Sequence, residues 1–431
     1  MKKRRAPTGW MMPLAALGAA ATVRAGFSLF ATTGRRPNQM WTDATPPVHS
    51  EDFLEPLGAI LGVPVVNGGQ IELLNNGDEW LDRMLADFAA AQDNITFSAY
   101  MWKPGRLSDM IFTALIERAQ AGVEVRVLLD AMGGKDCPDE DIERLEAAGG
   151  NVCVFRPLKL GKLDHFHLRN HRRAIVIDGR IGYTGGMAVA DHWLGNARDA
   201  TEWRDIMIRV TGPIAHSVQS AFAELWAYVC GEVLTGREYF PDIAEDGSGI
   251  RSLALVSSPA SEEHPLQLLF FKSFMAAQRR LWITTPYFIP DQATQEVLAL
   301  RARSGVDVRL LLPSQHTDAN AVRRAGQWTY QNLLDAGVRI FEYQPTMIHT
   351  KAVVVDGMWS IVGSANLDIR SKELNEENVL GILDTELARK LEQAFEADLE
   401  RAAELDAEQW RRRSVAARVL ERVSWVFSEQ Y

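Results

Sequence analysis

Two stretches of this chain, NHRRAIVIDG (170–179) and IHTKAVVVDG (348–357), are nearly the same ten residues written twice. Each holds a histidine, a cation two places on and an aspartate seven places on. The likeness extends well beyond them. GVEVRVLLD (122–130) matches GVDVRLLLP (305–313), AAGGNVCVFRP (147–157) aligns on DAGVRIFEYQP (335–345), and NITFSAYMW (94–102) parallels LWITTPYFI (281–289). The spacing that carries His171 onto His349 also carries Asp178 onto Asp356 and Gly185 onto Gly363. Matched segments in one order mean an internal duplication, and a duplication obliges both halves to build the same supersecondary unit.

The repeated runs are short, β-branched and bounded by glycine or proline, as in strands buried on both faces. Between them, 80–92, 111–122 and 266–278 carry apolar residues three and four apart, which is helical spacing. Strand alternating with helix predicts an α/β fold on a mixed or parallel sheet. The expected organisation is a lead-in over 1–50, a first half over 51–230, a linker rich in Gly, Pro and acids over 231–250, a second half over 251–400 and a C-terminal helix over 401–431.

Alternation along a strand puts His349 and Lys351 on one face, ahead of a tight Asp356-Gly357 turn. Imidazole beside a cation suits a phosphate: one attacks or moves a proton, the other neutralises the non-bridging oxygens. Gly363, Ser364 and Asn366 downstream bring small polar groups to an anion. Two copies allow one histidine to act as nucleophile and the other as acid and base, with Arg173 and Lys351 as counter-charges. That chemistry needs no metal and no cofactor.

The pattern His-x-Lys-x4-Asp with Gly-Ser-x-Asn, present twice, resembles the phospholipase D superfamily. The phrases RNHRRAIVIDGRIGYTGGMAVADHWLG, TPYFIPD and YQPTMIHTKAVVVDGMWSIVGSANLDIRSKELNEEN resemble bacterial cardiolipin synthases over roughly 70–400. The resemblance implies two duplicated α/β/α sandwich halves packed with pseudo-twofold symmetry. It implies His171 as nucleophile through a phosphohistidine and His349 as general acid and base. Arg173, Lys351, Ser364 and Asn366 would bind phosphate, Asp178 and Asp356 would fix the motif backbone, and Asp205 and Glu377 would orient the histidines. It implies phosphatidylglycerol as substrate, cardiolipin and glycerol as products, and a place at the bacterial inner membrane, anchored or peripheral. A hydrolase making phosphatidic acid, a superfamily nuclease and a non-catalytic lipid-binding protein are the alternatives. The first motif departs from the pattern, with Arg173 for lysine and Ala188 for asparagine. Arginine keeps the charge but is planar and larger.

A formal charge of −10 and a pI near 5.5 argue against nucleic acid as partner. Lys2, Lys3, Arg4 and Arg5 precede an uncharged stretch to Val23, then Arg24. This reads either as a secretory signal with Val23 and Ala25 framing a cleavage site, or as a membrane anchor, with the cations favouring an N-terminus-inside orientation. Cys137, Cys153 and Cys230 show no paired spacing and read as core thiols. His165 and His167 read as solvated loop residues. The end of the chain, with Val415, Val419, Val423, Trp425 and Phe427, reads as a basic amphipathic helix that lies in a membrane interface or packs on the body.

Overall fold

The structure, a computed structural model, describes residues 40, 42, 45–157, 167–244, 247–259 and 264–426. The proposed signal or anchor, His165 and Phe427 lie outside the described residues. The strands of the first copy are β1 (Val66–Asn67), β2 (Ile71–Asn75), β3 (Asn94–Ala99), β4 (Glu124–Asp130), β5 (Asn151–Phe155), β6 (Arg169–Asn170), β7 (Ala174–Ile177), β8 (Ile181–Gly185) and β9 (Ile206–Thr211). Those of the second are β10 (Arg251–Ser257), β11 (Arg280–Thr284), β12 (Asp307–Pro313), β13 (Arg339–Tyr343), β14 (Ala352–Val355), β15 (Trp359–Gly363), β16 (Asn375–Leu383) and β17 (Ala402–Glu404).

One sheet runs β2-β9-β8-β7-β3-β4-β5, and the other contains the same order as β10-β16-β15-β14-β11-β12-β13, extended by β1 and β17 at its edges. In each, three strands are parallel and the rest antiparallel. Register repeats as well: Ile177 lies opposite Ile95, and Val355 opposite Leu281. The α/β duplication expected from the repeats is therefore the architecture observed.

Alternation explains the layers. Ile175 and Ile177 face the helices Asn76–Ala90 and Arg106–Gln120, and Val353 and Val355 face the helices Pro265–Ala276 and Asn320–Asp335. Ala174 and Val176 point the other way, into a core shared with Val354, Val362 and Leu380 of the second sheet and with the helix Ile214–Cys230. This inner core joins the two copies into one body, so side chains from both converge along the seam.

Several expectations change. The helix Glu51–Leu61, counted with the first half, packs on the second sheet, where Phe53 meets Trp359 edge-on at 5.3 Å and β1 pairs with β10. Its apolar face needs a partner, and the open edge and outer face of the second sheet supply one. The 231–250 segment, read as the linker, is anchored on the first copy: Leu234 and Tyr239 are buried, and Glu232 pairs with Arg126. Cys153 and Cys230 form a disulfide, with Cα atoms 6.3 Å apart, tying β5 to the end of Ile214–Cys230. Their separation of 77 residues hid the pairing. Cys137 is a buried free thiol, as expected. The C-terminal helix Val415–Val426 packs against Asn320–Asp335, buries Glu421 against Arg413 at 2.8 Å, and leaves Val415, Val419, Leu420 and Val423 exposed. Among the described residues, no helix is long and apolar enough to cross a membrane.

Candidate active site at the seam

Both Asp-Gly turns are built alike. Asp178 and Asp356 sit at positive φ (52° and 53°), a region that aspartate tolerates better than most residues. Asp178 accepts the N–H groups of Gln92, Asp93 and Asn94, and Asp356 accepts those of Gln278, Arg279 and Arg280, all at 2.8–3.0 Å. Each aspartate thereby pins its turn to the start of the neighbouring antiparallel strand, β3 or β11, and so fixes the segment that carries the histidine.

The histidines themselves stand ahead of β7 and β14 rather than within them, which corrects the strand placement expected for His349 and Lys351. Each segment reaches across to the other copy. The His171 N–H donates to the Glu376 carbonyl (2.9 Å), and the His349 N–H donates to that of Arg204 (2.7 Å). The side chains follow the same crossing. His171 Nδ1 lies 2.9 Å from Glu377, and His349 Nδ1 lies 2.8 Å from Asp205. A carboxylate on Nδ1 fixes that nitrogen as the donor and leaves Nε2 with its lone pair. Neither half completes its own histidine.

The cations are equivalent despite the change of residue. Arg173 Nη1 donates to the His171 carbonyl (2.6 Å), and Lys351 Nζ donates to the His349 carbonyl (2.7 Å). Lys351 Nζ also lies 3.0 Å from His349 Nε2. All eight of these side chains except Asp178 are buried. Burial and the Arg173 and Lys351 charges push His171 well below its usual pKa, and burial and Lys351 bring His349 down to about 3. Burial brings Lys351 down to about 7 and raises Glu377 to about 7. For Asp205 burial pulls upward, but the His349 and Trp193 hydrogen bonds and the His349 and Lys351 charges together outweigh it, and the carboxyl is lowered. The centre thus holds two neutral imidazoles beside the Arg173 and Lys351 cations, an arrangement that suits an anion. A phosphodiester is such an anion, and its arrival would raise both histidines.

Ser364, expected among the phosphate ligands, gives its hydroxyl to Glu377 and accepts the Asn378 N–H (3.0 Å); it positions the carboxylate instead. Asn366 donates to Ser371 (3.3 Å), and its Oδ1 has no partner among the described residues. In the first copy Gly186 stands where Ser364 does, and a Cβ there would lie 2.3 Å from Asp205 Oδ1. The missing hydroxyl is replaced by Trp193, whose Nε1 donates to Asp205 at 3.0 Å. Trp193 and Trp203 flank the His349 ring at 5.3 and 5.5 Å, while Tyr100 meets His171 at 5.3 Å. Asn378 ties the seam by accepting the Arg173 N–H (2.9 Å) and donating to the Arg173 carbonyl (3.0 Å). These four were missed in the sequence. Asn378 ends the LNEEN phrase and was within reach; the tryptophans had no signal from the repeat, because the corresponding positions of the other copy are Ser371 and Asn375. Among the described residues no group of His, Cys, Asp or Glu could hold a metal ion.

A doubled mixed sheet whose seam joins two histidine–cation pairs defines the phospholipase D class of phosphodiester-processing folds. The family described as cardiolipin synthase, PLD-like domain, matches residues 84–226 and 270–399, and the chain belongs to it. It is 34% identical over 368 residues to a cardiolipin synthase of Geobacillus kaustophilus, covering 85% of this chain and 73% of that protein. It is 35% identical over 350 residues to cardiolipin synthase 2 of Bacillus anthracis, covering 81% and 68%. The fold is shared with a phosphatidylserine synthase of Haemophilus influenzae at a TM-score of 0.68, with 15% identity over 86% of this chain and 97% of that one.

Proposed function

We infer that this chain is a phosphatidyltransferase of the cardiolipin synthase type, taking phosphatidylglycerol as both donor and acceptor. The observation that carries the reading is the crosswise pairing of His171 with Glu377 and of His349 with Asp205. Two imidazoles held this way have one donor nitrogen anchored and one basic nitrogen for chemistry.

His171 Nε2 attacks the donor phosphorus, and the P–O bond to glycerol breaks as the N–P bond forms. Arg173 and Lys351 hold the non-bridging oxygens while charge builds on them. His349, charged once the diester is bound, gives its proton to the departing alkoxide, and Asp205 stabilises the imidazolium. His349 then takes the proton of the incoming hydroxyl, the new P–O bond forms, and His171 is released. Glu377 serves His171 in the same way. The acyl chains bring the substrates from a bilayer, and the exposed Val415, Val419, Leu420 and Val423 beside Arg411, Arg412 and Arg418 suit attachment at its interface.

The test is purified protein with phosphatidylglycerol in mixed micelles and chelator present, products identified by mass spectrometry, alongside His349→Ala. Cardiolipin plus glycerol, lost in the variant, is expected. Phosphatidic acid alone would make the protein a hydrolase, and no product from the lipid would overturn the reading.

A further inference from the structure

Each histidine and its acid stand on different copies, so the crosswise pairs depend on how the two main chains are held together. The backbone supplies a clip at each. Asn375 and Glu376 at the start of β16 pair in parallel with Arg169 and Asn170 of β6, and Arg204 forms the matching parallel bridge with Ile348. Strand register relates Arg204 to Glu376, since Gly185 lies opposite Met207 and Gly363 opposite Val379. The two clips are therefore one motif built twice. Each sets the residue before an acid against the residue before a histidine.

At these equivalent positions the copies carry opposite charges. Arg204 is buried; its carbonyl accepts the His349 N–H (2.7 Å), and its own N–H donates to the Met347 carbonyl (2.9 Å). Its guanidinium reaches both the acid and the other copy. Nη1 donates to the Asp205 carbonyl (2.9 Å) and to Asn76 Oδ1 (3.2 Å), and Nη2 donates to Asn75 Oδ1 (3.2 Å). Nε donates to Asp398 at 2.9 Å, on the helix Thr385–Leu399 of the second copy. Asn76 closes the loop by donating its N–H to the Asp205 carbonyl at 2.9 Å. One residue thus binds the main chain of both members of the His349–Asp205 pair.

Glu376, also buried, serves the other pair with the opposite sign. Its carbonyl accepts the His171 N–H (2.9 Å), and its carboxylate accepts Arg172 Nη2 (2.7 Å) and the Ser258 hydroxyl (3.0 Å). Arg172 is fully buried, and its Nη1 donates to the Ala221 carbonyl and to Glu224, both at 2.8 Å. The counterpart of Arg172 in the second copy is Thr350, so the repeated motif does not itself call for this charge. Both ion pairs cross the seam, each with its arginine on the first copy and its acid on the second. A buried ion pair pays a desolvation cost that apolar side chains of like volume avoid, so it is a weak source of net stability. It is strict in geometry, because leaving either partner unpaired is costly. A histidine–carboxylate bond across a seam needs that strictness, since a shift of about 1 Å can slow a reaction about a hundredfold.

We propose that Arg204 and Glu376 are positioning residues, each locking one histidine to the acid of the other copy. Arg204 with Asp398 holds the His349–Asp205 pair, and Glu376 with Arg172 holds the His171–Glu377 pair. The assignment rests on the division of labour inferred above, in which His171 attacks phosphorus and His349 moves protons. Arg204 and Glu376 act through the main chain and the seam, not on the reacting atoms. Because the clips are separate, disturbing one impairs one limb of the reaction and spares the other.

The experiment uses a phosphatidyl donor with a nitrophenol leaving group, whose first equivalent reports attack by His171 and whose steady rate reports activation of the acceptor by His349. Arg204→Met is expected to keep the burst and slow steady turnover about a hundredfold, and Glu376→Leu to slow the first equivalent about a hundredfold. Equal loss in both phases for both variants would mean a general loosening of the fold and overturn the proposal. Arg204→Met/Asp398→Leu leaves no buried charge alone, so it should unfold at a higher temperature than Arg204→Met. Its steady turnover should stay low, because the bond to the Asp205 carbonyl is still missing; turnover that returns with Tm would make the pair structural only and overturn the positioning role. A readout without turnover is the imidazole Nδ1–H resonance of each histidine in isotope-labelled protein, assigned with His171→Ala and His349→Ala. Held by a buried carboxylate, each proton is expected far downfield. Arg204→Met should shift the His349 signal upfield and spare that of His171, and Glu376→Leu should do the reverse. Signals unmoved in both variants overturn the proposal whatever the protein makes. The expected shifts in a protein that makes no cardiolipin would uphold the clips and sink the reaction assignment instead.

Discussion

Asp205→Asn alters the centre at a single group, and its effect can be worked out from the contacts. One carboxylate oxygen accepts His349 Nδ1 (2.8 Å) and Trp193 Nε1 (3.0 Å); the other accepts the Ile206 N–H (2.8 Å). An amide has one oxygen, so its NH2 must face a donor on one side or the other. Facing Ile206, it leaves a buried N–H unpaired, at about 1–3 kcal/mol of stability. Facing His349, it forces the imidazole into the other tautomer, with the proton on Nε2 where a base is needed. In both orientations the imidazolium formed during transfer loses its buried counter-charge. Together these raise the barrier by about 3–5 kcal/mol, roughly a hundredfold to ten-thousandfold in kcat. The decisive assay uses a phosphatidyl donor with a nitrophenol leaving group, which departs without a general acid. Asp205→Asn should then release a burst of one equivalent of nitrophenol followed by slow turnover, because attack by His171 survives while activation of the acceptor does not. Glu377→Gln, acting on His171, should abolish the burst. Turnover of Asp205→Asn within tenfold of wild type on phosphatidylglycerol would refute the orienting role. A burst that survives Glu377→Gln but not Asp205→Asn would exchange the parts given to the two histidines.

Three further outcomes follow from the same contacts. Diethyl phosphate, a monoanion throughout, should bind more weakly as pH rises above about 7, by up to tenfold per unit, since Lys351 (about 7) loses its proton and Glu377 (about 7) gains charge there; calorimetric titration from pH 6 to 9 reads this, and Lys351→Met should flatten the slope. Arg173→Lys should retain activity within about tenfold, because lysine in the second copy makes the same bond to its histidine carbonyl at 2.7 Å, whereas Arg173→Met should lose a hundredfold or more in kcat/KM. Asp356→Ala removes the acceptor of three N–H groups and places alanine at positive φ, costing about 2–4 kcal/mol and lowering Tm by a few degrees; a shifted pH–activity profile with unchanged Tm would contradict that structural role.

Local features of this protein were legible early. The strands beginning at Asn94, Glu124, Arg280 and Asp307 lie where β-branched runs and bounding glycines place them, and the Asp178 and Asp356 turns form where Asp-Gly is written. The histidines and their cations were nameable because duplication printed the motif twice, and the two carboxylates because the surrounding phrases resemble the phospholipase D superfamily. What could not be read was partnership across distance. His171 and Glu377 are 206 residues apart, and nothing in either segment marks a crosswise pair over a pair within one copy. The Cys153–Cys230 bridge and the seating of Phe53 on Trp359 share that character.

By itself, then, the sequence determined the elements, their repetition and the residue types available for phosphate chemistry, because hydrophobic period, turn conformation and charge are properties of neighbouring residues. Tertiary structure alone decided which histidine meets which acid, that Trp193 and Trp203 flank His349 while Tyr100 meets His171, and which core takes the first helix. Those outcomes depend on burying two sheet faces against each other, and the seam they create brings together residues that no local spacing relates.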